Sequence, residues 1–340
     1  MTLNLSPLLH KAVHRSLSEG DARDAALALM TGGVPPAQAG GLLSALRVRG
    51  ENRGEILGFA RALRERSAPF PLSADGLIDT CGTGGDGLET VNVSTLAGLV
   101  AAACGARVAK HGNRAVSSRC GSADVLEALG IRIDGPPELA ARCVEETGFG
   151  FLFAPQYHPT LRQLAPLRRE LGFRSIFNLV GPLANPARVR RQVVGVPALS
   201  YLRPVAEALH SLGVEHALVV HGDDGADEIS LTGPTSAFEV RPEGLSSQVL
   251  HPEDAGLRTC RREALEGGDA AANAALALRI LDGERGPGHD FVVLNAAAAL
   301  MVAGLARTLR EGAERAREAL LSLRARTVLD SVRRISQEGA

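Results

Sequence analysis

An α/β protein with a central sheet, preceded by a small all-helical unit, is the fold class that the sequence predicts, and two observations carry it. From Leu8 to about Arg66, apolar residues recur at intervals of three and four, as in Leu42, Leu43 and Leu46, and prolines and glycines punctuate the run at Gly32 to Pro36 and near Gly50. From Leu72 onward, short apolar runs that read as buried strands alternate with helical stretches of ten or more residues. The expected division is therefore a helical unit over 1–70 and an α/β unit over 71–340.

In chain order the expected strands are Leu77–Thr80, Ala106–Lys110, Ile131–Ile133, Phe149–Phe153, Gln192–Val196, His216–Val220 and Phe238–Val240. Each is an apolar run bounded by turn-forming or polar residues. Between the first two, a helix is expected to start at Ser94–Thr95, since hydroxyl residues are good N-caps. Another covers Ala123–Leu129 and is ended by Gly130. Leu161–Gly172 reads as an amphipathic helix that fits either unit. After Asp269, alanine-rich helical runs close the chain, the last continuous from Glu314 to Ser336.

With 45% hydrophobic and 22% charged residues, the chain is neither disordered nor fibrous. A net charge of −1 gives no global field to gather nucleic acid or an anionic membrane, so any polyanion site is local. The five cysteines, Cys81, Cys104, Cys120, Cys143 and Cys260, include no CxxC pair, which disfavours structural zinc or a disulfide framework and fits a reducing cytosol. His10, Lys11 and Arg15 break the first apolar run, leaving no secretory core, and no uncharged stretch reaches the roughly 18 residues of a membrane span. A cytoplasmic protein is expected. Two oddities stand out: of 37 basic residues only Lys11 and Lys110 are lysine, and there is no tryptophan.

Three loops carry chemistry. Gly82-Thr83-Gly84-Gly85-Asp86-Gly87 satisfies GxGxxG by letters, but a dinucleotide fold would close the next strand with an acid, and here that strand ends in Lys110-His111. No Gly-Lys pair exists, which excludes a Walker loop. What remains is a loop that permits positive φ ahead of hydroxyls at a helix start, either an anion cradle or a tight strand-to-helix turn. The second loop, Lys110 to Ser122, gathers cations, serines and an asparagine in a density that suits a phosphate, with Ser122 expected to cap the next helix. A solvated basic turn is the competing reading. The third, His221 to Glu228, lacks the EF-hand spacing, yet the adjacent Asp227 and Glu228 can both reach a hydrated Mg²⁺, unless they belong to an acidic surface turn. An anion loop and an acidic loop in one domain together suggest Mg²⁺-assisted handling of a diphosphate.

Those residues also carry a likeness. GTGGDG at Gly82–Gly87, NVST at Asn92–Thr95, KHGNRAVSS at Lys110–Ser118, GSAD at Gly121–Asp124, GPLANP at Gly181–Pro186 and the pair Asp227-Glu228 resemble the anthranilate phosphoribosyltransferase family in order and spacing. LLSALRVRGE, GFARALRE and LNAAAALMVAG extend the resemblance over nearly the whole chain. It implies a nucleoside phosphorylase-like fold, with a mixed, largely parallel sheet, and a homodimer whose helical domain is joined by about 160–182. It also implies transfer of the phosphoribosyl group of phosphoribosyl diphosphate (PRPP) to the amino group of anthranilate, in tryptophan biosynthesis. By the same likeness PRPP is held by Gly82, Gly85, Asp86, Thr90, Asn92, Val93, Ser94 and Thr95, by Lys110, His111, Gly112, Asn113, Arg114, Ala115, Val116, Ser117 and Ser118, and by Ser122. Ser94, Asp227 and Glu228 would hold Mg²⁺, while Gly82, Asn113 and Arg168 would meet anthranilate. Lys110, His111 and Arg168 become the catalytic residues. Cys120 and Ala226 depart from the family pattern without removing a ligand.

A pyrimidine nucleoside phosphorylase is the nearest rival, but the paired acids favour a metal-bound diphosphate. A non-catalytic nucleic-acid-binding relative would show a basic groove, at odds with the net charge. An aromatic amine is neutral at pH 7 and needs no strong base before attack, so His111 reads as a positioning group more than a general base.

Overall fold

The computed structural model describes residues 3–115 and 119–338. Four helices come first: α1 (Ser6–His14), α2 (Glu19–Thr31), α3 (Pro36–Arg49) and α4 (Arg53–Arg66). Their ends are built by side chains. Ser18 Oγ accepts from the Asp21 N–H at 3.1 Å at the start of α2, and Asn52 and Glu55 form a reciprocal capping box at the start of α4, each bond 3.0 Å. Glu55 is fully buried and also takes the Leu17 N–H at 2.8 Å, tying α4 to the chain that enters α2.

Helices α2 and α4 cross closely at Gly58. A Cβ there would lie 2.5 Å from the Glu19 carbonyl oxygen and 2.8 Å from the Ala22 Cβ. Gly58→Val is therefore expected to cost about 2–3 kcal/mol by overpacking, lowering the urea midpoint at unchanged m-value. A midpoint equal to the parent's would refute so close a crossing.

The remainder is built on β1 (Leu77–Thr80), α5 (Val93–Ala103), β2 (Arg107–Gly112), α6 (Ser122–Ala128), α7 (Pro137–Thr147), β3 (Phe149–Phe153), α8 (Ala154–Tyr157), α9 (Ala165–Leu171), α10 (Ile176–Leu179) and β4 (Arg191–Gly195). Then follow α11 (Leu199–Ser211), β5 (His216–Gly222), β6 (Thr235–Arg241), β7 (Gly244–Leu250), α12 (Ala270–Leu281), α13 (Pro287–Val302), α14 (Leu309–Leu321) and α15 (Arg324–Ser336). The strands form one sheet in the order β3-β2-β1-β4-β5-β6-β7. β1 to β5 are parallel to one another, with Ile78 beside Val108 and Thr80 beside Val193, and β6 and β7 extend the edge antiparallel. This is the mixed, largely parallel sheet expected.

Strand order reverses between β1 and β4, since β2 and β3 lie to one side and β5 to the other. The chain leaving β1 stays hydrogen-bonded to β4, through Cys81 N–H to the Val193 carbonyl at 3.1 Å and Thr83 N–H to the Gly195 carbonyl at 2.9 Å. The two connections then lead to strands on opposite sides of this switch point, whose carboxyl ends are the usual ligand position of an open α/β sheet. Ile78, Val108, Val193 and Leu218 face a core with α5 and the almost wholly buried α13. Val194 and Val219 face the opposite way, into a cluster shared with Leu42, Leu43 and Phe59 of the helical unit and with Leu164, Ile176, Phe177 and Leu183.

Four details differ from the sequence reading. Ile131–Ile133 is not a strand: its isoleucines are buried in the same core as Val108 and Leu126, and the segment pairs with none of the seven strands. β7 was not expected, because its serines are exposed and its pattern is polar. Leu161–Gly172 is not one helix but a 3₁₀ segment, Pro159–Leu164, followed by α9, since Pro166 has no N–H to continue the ladder. The run Glu314–Ser336 breaks into α14 and α15 at Leu323, whose φ is 61°.

Candidate active site

The glycine loop turns away from β1 on residues with positive φ: Gly84 at 67°, Gly85 at 86° and Gly87 at 71°. That path brings it against the loop after β5. The Gly84 N–H donates to Asp227 Oδ2 at 2.5 Å, and Asp227 packs where a Cβ on Gly82 or on Gly195, the last residue of β4, would overlap it. Sequence alone linked these loops only by inference; here Gly82, just after β1, and Gly195, at the end of β4, create the space in which the acid sits.

Helix α5 begins at Val93 rather than at Ser94, with Asn92 as its N-cap residue. The Asn92 N–H is taken by Asn273 at 3.0 Å, and its amide reaches the Cys120 carbonyl at 3.3 Å, so this residue joins the first loop to the second. Thr90 pairs with Glu266 in an isolated bridge, and Thr95 is fully buried with its hydroxyl unpartnered. Ser94 lies at the centre of a relay: the Lys110 ammonium donates to its Oγ at 3.3 Å and to the Thr80 carbonyl, and the Ser94 hydroxyl is hydrogen-bonded to Glu228. Lys110 is only 1% exposed. It thus stands beneath the site, beside the serine and the acid, rather than on the loop surface.

The second loop is clasped by Asp124, whose Oδ2 accepts from Ala115 N–H at 2.9 Å and from Gly121 N–H at 2.8 Å. Gly121 is the N-cap residue of α6, and Ser122, the expected cap, is its first helical residue and donates instead to the Asn113 carbonyl at 3.3 Å. A Cβ on Gly112 would overlap that serine hydroxyl. Arg114 turns to α6, pairing with Asp124 at 3.3 Å and with Glu127, and lies over the Phe153 ring. The Asn113 side chain accepts from the Arg114 N–H at 2.8 Å. Val116, Ser117 and Ser118 lie outside the described residues.

His111 is 4% exposed. Its Nδ1–H points to the Gly181 carbonyl at 3.2 Å, which leaves Nε2 as the bare, unpartnered nitrogen. Its backbone N–H donates to Asp79 Oδ1 at 3.2 Å, and Asn185 of the GPLANP run bonds Asp79 Oδ2 at 2.8 Å. A buried carboxylate thereby holds β1, β2 and this run together. Sequence reading missed Asp79 and Asn185 as partners, although GPLANP had marked the neighbourhood.

Burial, then the adjacent His158 ring, pushes His111 down to about 3, and burial pushes His158 down to about 4. At these two rings the folded chain then binds fewer protons than the unfolded one below pH 6.5. Each histidine should withdraw up to roughly 1.4 kcal/mol of stability per pH unit as pH falls from about 6.5 towards its folded value. Asp79, raised by burial to about 6, works the other way between there and 3.8. His158→Gln should accordingly gain stability relative to the parent as pH falls from 6.5 to 4.5, seen as a changed slope of stability against pH in urea titrations. A slope equal to the parent's would contradict a neutral, buried His158.

Burial, then Asp86, holds Asp227 above the ordinary carboxylate range; burial, then Asp227, does the same to Glu228. Asp86 and Asp227 also share a hydrogen bond. Among the described residues no cluster of three His, Cys, Asp or Glu side chains has metal-holding geometry, so any cation here would need oxygen ligands from elsewhere. That donor set fits Mg²⁺, which takes one or two carboxylates, with phosphate oxygens and water completing its shell.

Arg168, on α9, places its guanidinium over the Phe177 ring at 5.9 Å, half-buried. Among the described residues no carboxylate lies in ion-pair contact with it. Arg174, three residues beyond α9, was not expected at all. Its Nη2 donates to the Thr83 carbonyl at 2.5 Å, and nothing in a chain with 35 arginines marked this one.

Two family descriptions match the chain: "Glycosyl transferase family, helical bundle domain" over residues 7–67 and "Glycosyl transferase family, a/b domain" over 74–326. The anthranilate phosphoribosyltransferase of Rubrobacter xylanophilus is 52% identical over 327 residues, 96% of this chain and 95% of that one. The crystal structure of anthranilate phosphoribosyltransferase from Thermus thermophilus superposes with a TM-score of 0.91 at 49% identity, covering 97% of this chain and 99% of that chain. The Saccharomyces cerevisiae enzyme in complex with PRPP and Mg gives a TM-score of 0.89 at 25% identity, over 98% and 97% of the two chains.

Proposed function

The chain belongs to the anthranilate phosphoribosyltransferases, and from that premise we propose how its own residues transfer the 5-phosphoribosyl group of PRPP to the amino group of anthranilate, a step of tryptophan biosynthesis. The observation that supports this division of labour best is the meeting of glycine loop and acidic loop at the Gly84–Asp227 contact.

Displacement at the anomeric carbon builds oxocarbenium character on the ribose and negative charge on the departing diphosphate, so the enzyme's task is mainly electrostatic. The amides at Gly82 to Gly87, with Asn92, Ser94 and Thr95, are the donors offered to PRPP. Ser94, Asp227 and Glu228 would hold Mg²⁺, which when bound supplies charge neutralisation for the leaving group. Lys110 fixes Ser94 and, lying near Glu228, favours that acid's charged form against the burial that raises its pKa.

Arg168 orients anthranilate through its carboxylate, with Gly82 and Asn113 lining the same side. His111 stays neutral, and its bare Nε2 can accept a hydrogen bond from the amine, whose nitrogen becomes acidic only as the new bond forms. His111 is thus a positioning residue first. We place the enzyme in the cytoplasm as a homodimer; exposed Val13 and Val48, on the mutually packed α1 and α3, support a contact through the helical unit. Light scattering at twice the 35.5 kDa chain mass is the expected result.

The test of the reaction is direct. The chain has no tryptophan, so anthranilate fluorescence stands out, and it should fall on addition of PRPP with Mg²⁺ and hold steady once a chelator is present. Thymidine and uridine with phosphate should not react. Phosphorolysis of either nucleoside, with anthranilate left unconsumed, would overturn the assignment.

A further inference from the structure

The protein's own side chains supply both charges that a metal-bound diphosphate would bring. The Gly84 N–H, an amide offered to phosphate oxygen, is occupied by Asp227 Oδ2 at 2.5 Å. Asp227 shares a hydrogen bond with Asp86, and both carboxylates draw the positive charge of Arg174. The Arg174 guanidinium is fixed by its bond to the Thr83 carbonyl and stands so close over Gly85 that a Cβ on that glycine would overlap it. One glycine loop thus holds a carboxylate on an amide and a cation above its backbone.

We propose that Arg174 is the stand-in cation of this site: its guanidinium compensates Asp86 and Asp227 until a divalent cation takes its place, and the Asp227 carboxylate fills the loop's anion position until the diphosphate does. This rests on the PRPP and metal reading given above. The physical logic is that carboxylates gathered out of water are costly unless a positive charge meets them. An arginine meets them without the metal and keeps the loop shaped. It also makes a lone cation a poor ligand, because the ion must displace a charge already in place. A cation arriving with a diphosphate gains more, since phosphate oxygens take over the Gly84 N–H as Asp227 turns to the metal. Arg174 is therefore a positioning residue that couples metal affinity to the presence of PRPP.

The probe is Mn²⁺ alone, titrated into PRPP-free protein and followed by the electron paramagnetic resonance signal of the free ion. Arg174→Gln should bind Mn²⁺ about tenfold more tightly than the parent, and Arg174→Met should do the same if the glutamine variant folds poorly. Arg174→Lys, which keeps the charge, should match the parent, as should Arg169→Gln, which removes an exposed arginine nearby. D227N/E228Q should abolish binding in every background. Unchanged or weaker Mn²⁺ affinity in both neutral variants, with D227N/E228Q still abolishing it, overturns the stand-in role and leaves the metal reading intact. An equal gain in Arg169→Gln overturns it too, as a bulk charge effect. If Mn²⁺ binding ignores D227N/E228Q, the metal reading itself falls.

Discussion

Replacing Asp227 by Asn together with Glu228 by Gln is expected to lower kcat for phosphoribosyl transfer about a thousandfold at millimolar Mg²⁺, with the thermal midpoint of the ligand-free protein within a few degrees of the parent's. The substitutions keep shape. An Asn at 227 still fits the space left by Gly82 and Gly195, and its carbonyl oxygen still accepts from the Gly84 N–H. A Gln at 228 can still receive the Ser94 hydroxyl. What disappears is charge, where Asp227 and Glu228 meet the glycine loop beyond the carboxyl ends of β1 and β4. The leaving diphosphate accumulates negative charge during the reaction, so losing the cation's anchors falls on the transition state more than on PRPP binding, and kcat carries most of the loss. Retained turnover at ordinary Mg²⁺ in a protein of normal stability would refute the role of the pair.

These acids were legible in the sequence because adjacent carboxylates after an apolar strand are chemically conspicuous, and the same holds for the glycine loop and for Lys110 in a chain that almost always writes arginine. Their relationship was not legible. That Asp227 sits on Gly84 depends on strand order, with β4 inserted between β1 and β5. Lys110 showed its charge but not its depth, since a lysine at a strand end reads as exposed until its stem is seen to run under Thr80 and Ser94. Arg174 and Asp79 carried no local signal: each acquires its role from a partner more than 80 residues away in sequence, Thr83 for the first and Asn185 for the second. The fold class was readable from alternation of strand and helix patterns, and its errors were local. Ile131–Ile133 shows strand-like residues that are buried by side-chain packing without joining the sheet, whereas β7 pairs through its backbone while its side chains remain polar.

Arg168→Ala should raise KM for anthranilate about a hundredfold while leaving KM for PRPP within about twofold of the parent's. The guanidinium rests on the Phe177 ring, and burial followed by the like charge of Arg174 lowers its pKa, so the site carries positive charge that awaits an anion. Anthranilate brings one planar carboxylate, which the arginine fork can meet with two parallel hydrogen bonds, a geometry that also fixes where the neighbouring amine points. That interaction exists before and during attack, so its removal appears chiefly in KM, with a smaller fall in kcat where orientation of the amine is lost. Arg168→Lys should recover only part of the affinity, because an ammonium supplies charge without the fork. Equal increases in both Michaelis constants would instead place Arg168 in the general architecture of the crevice, and a lysine variant as good as the parent would show that charge alone, not paired geometry, holds the acceptor.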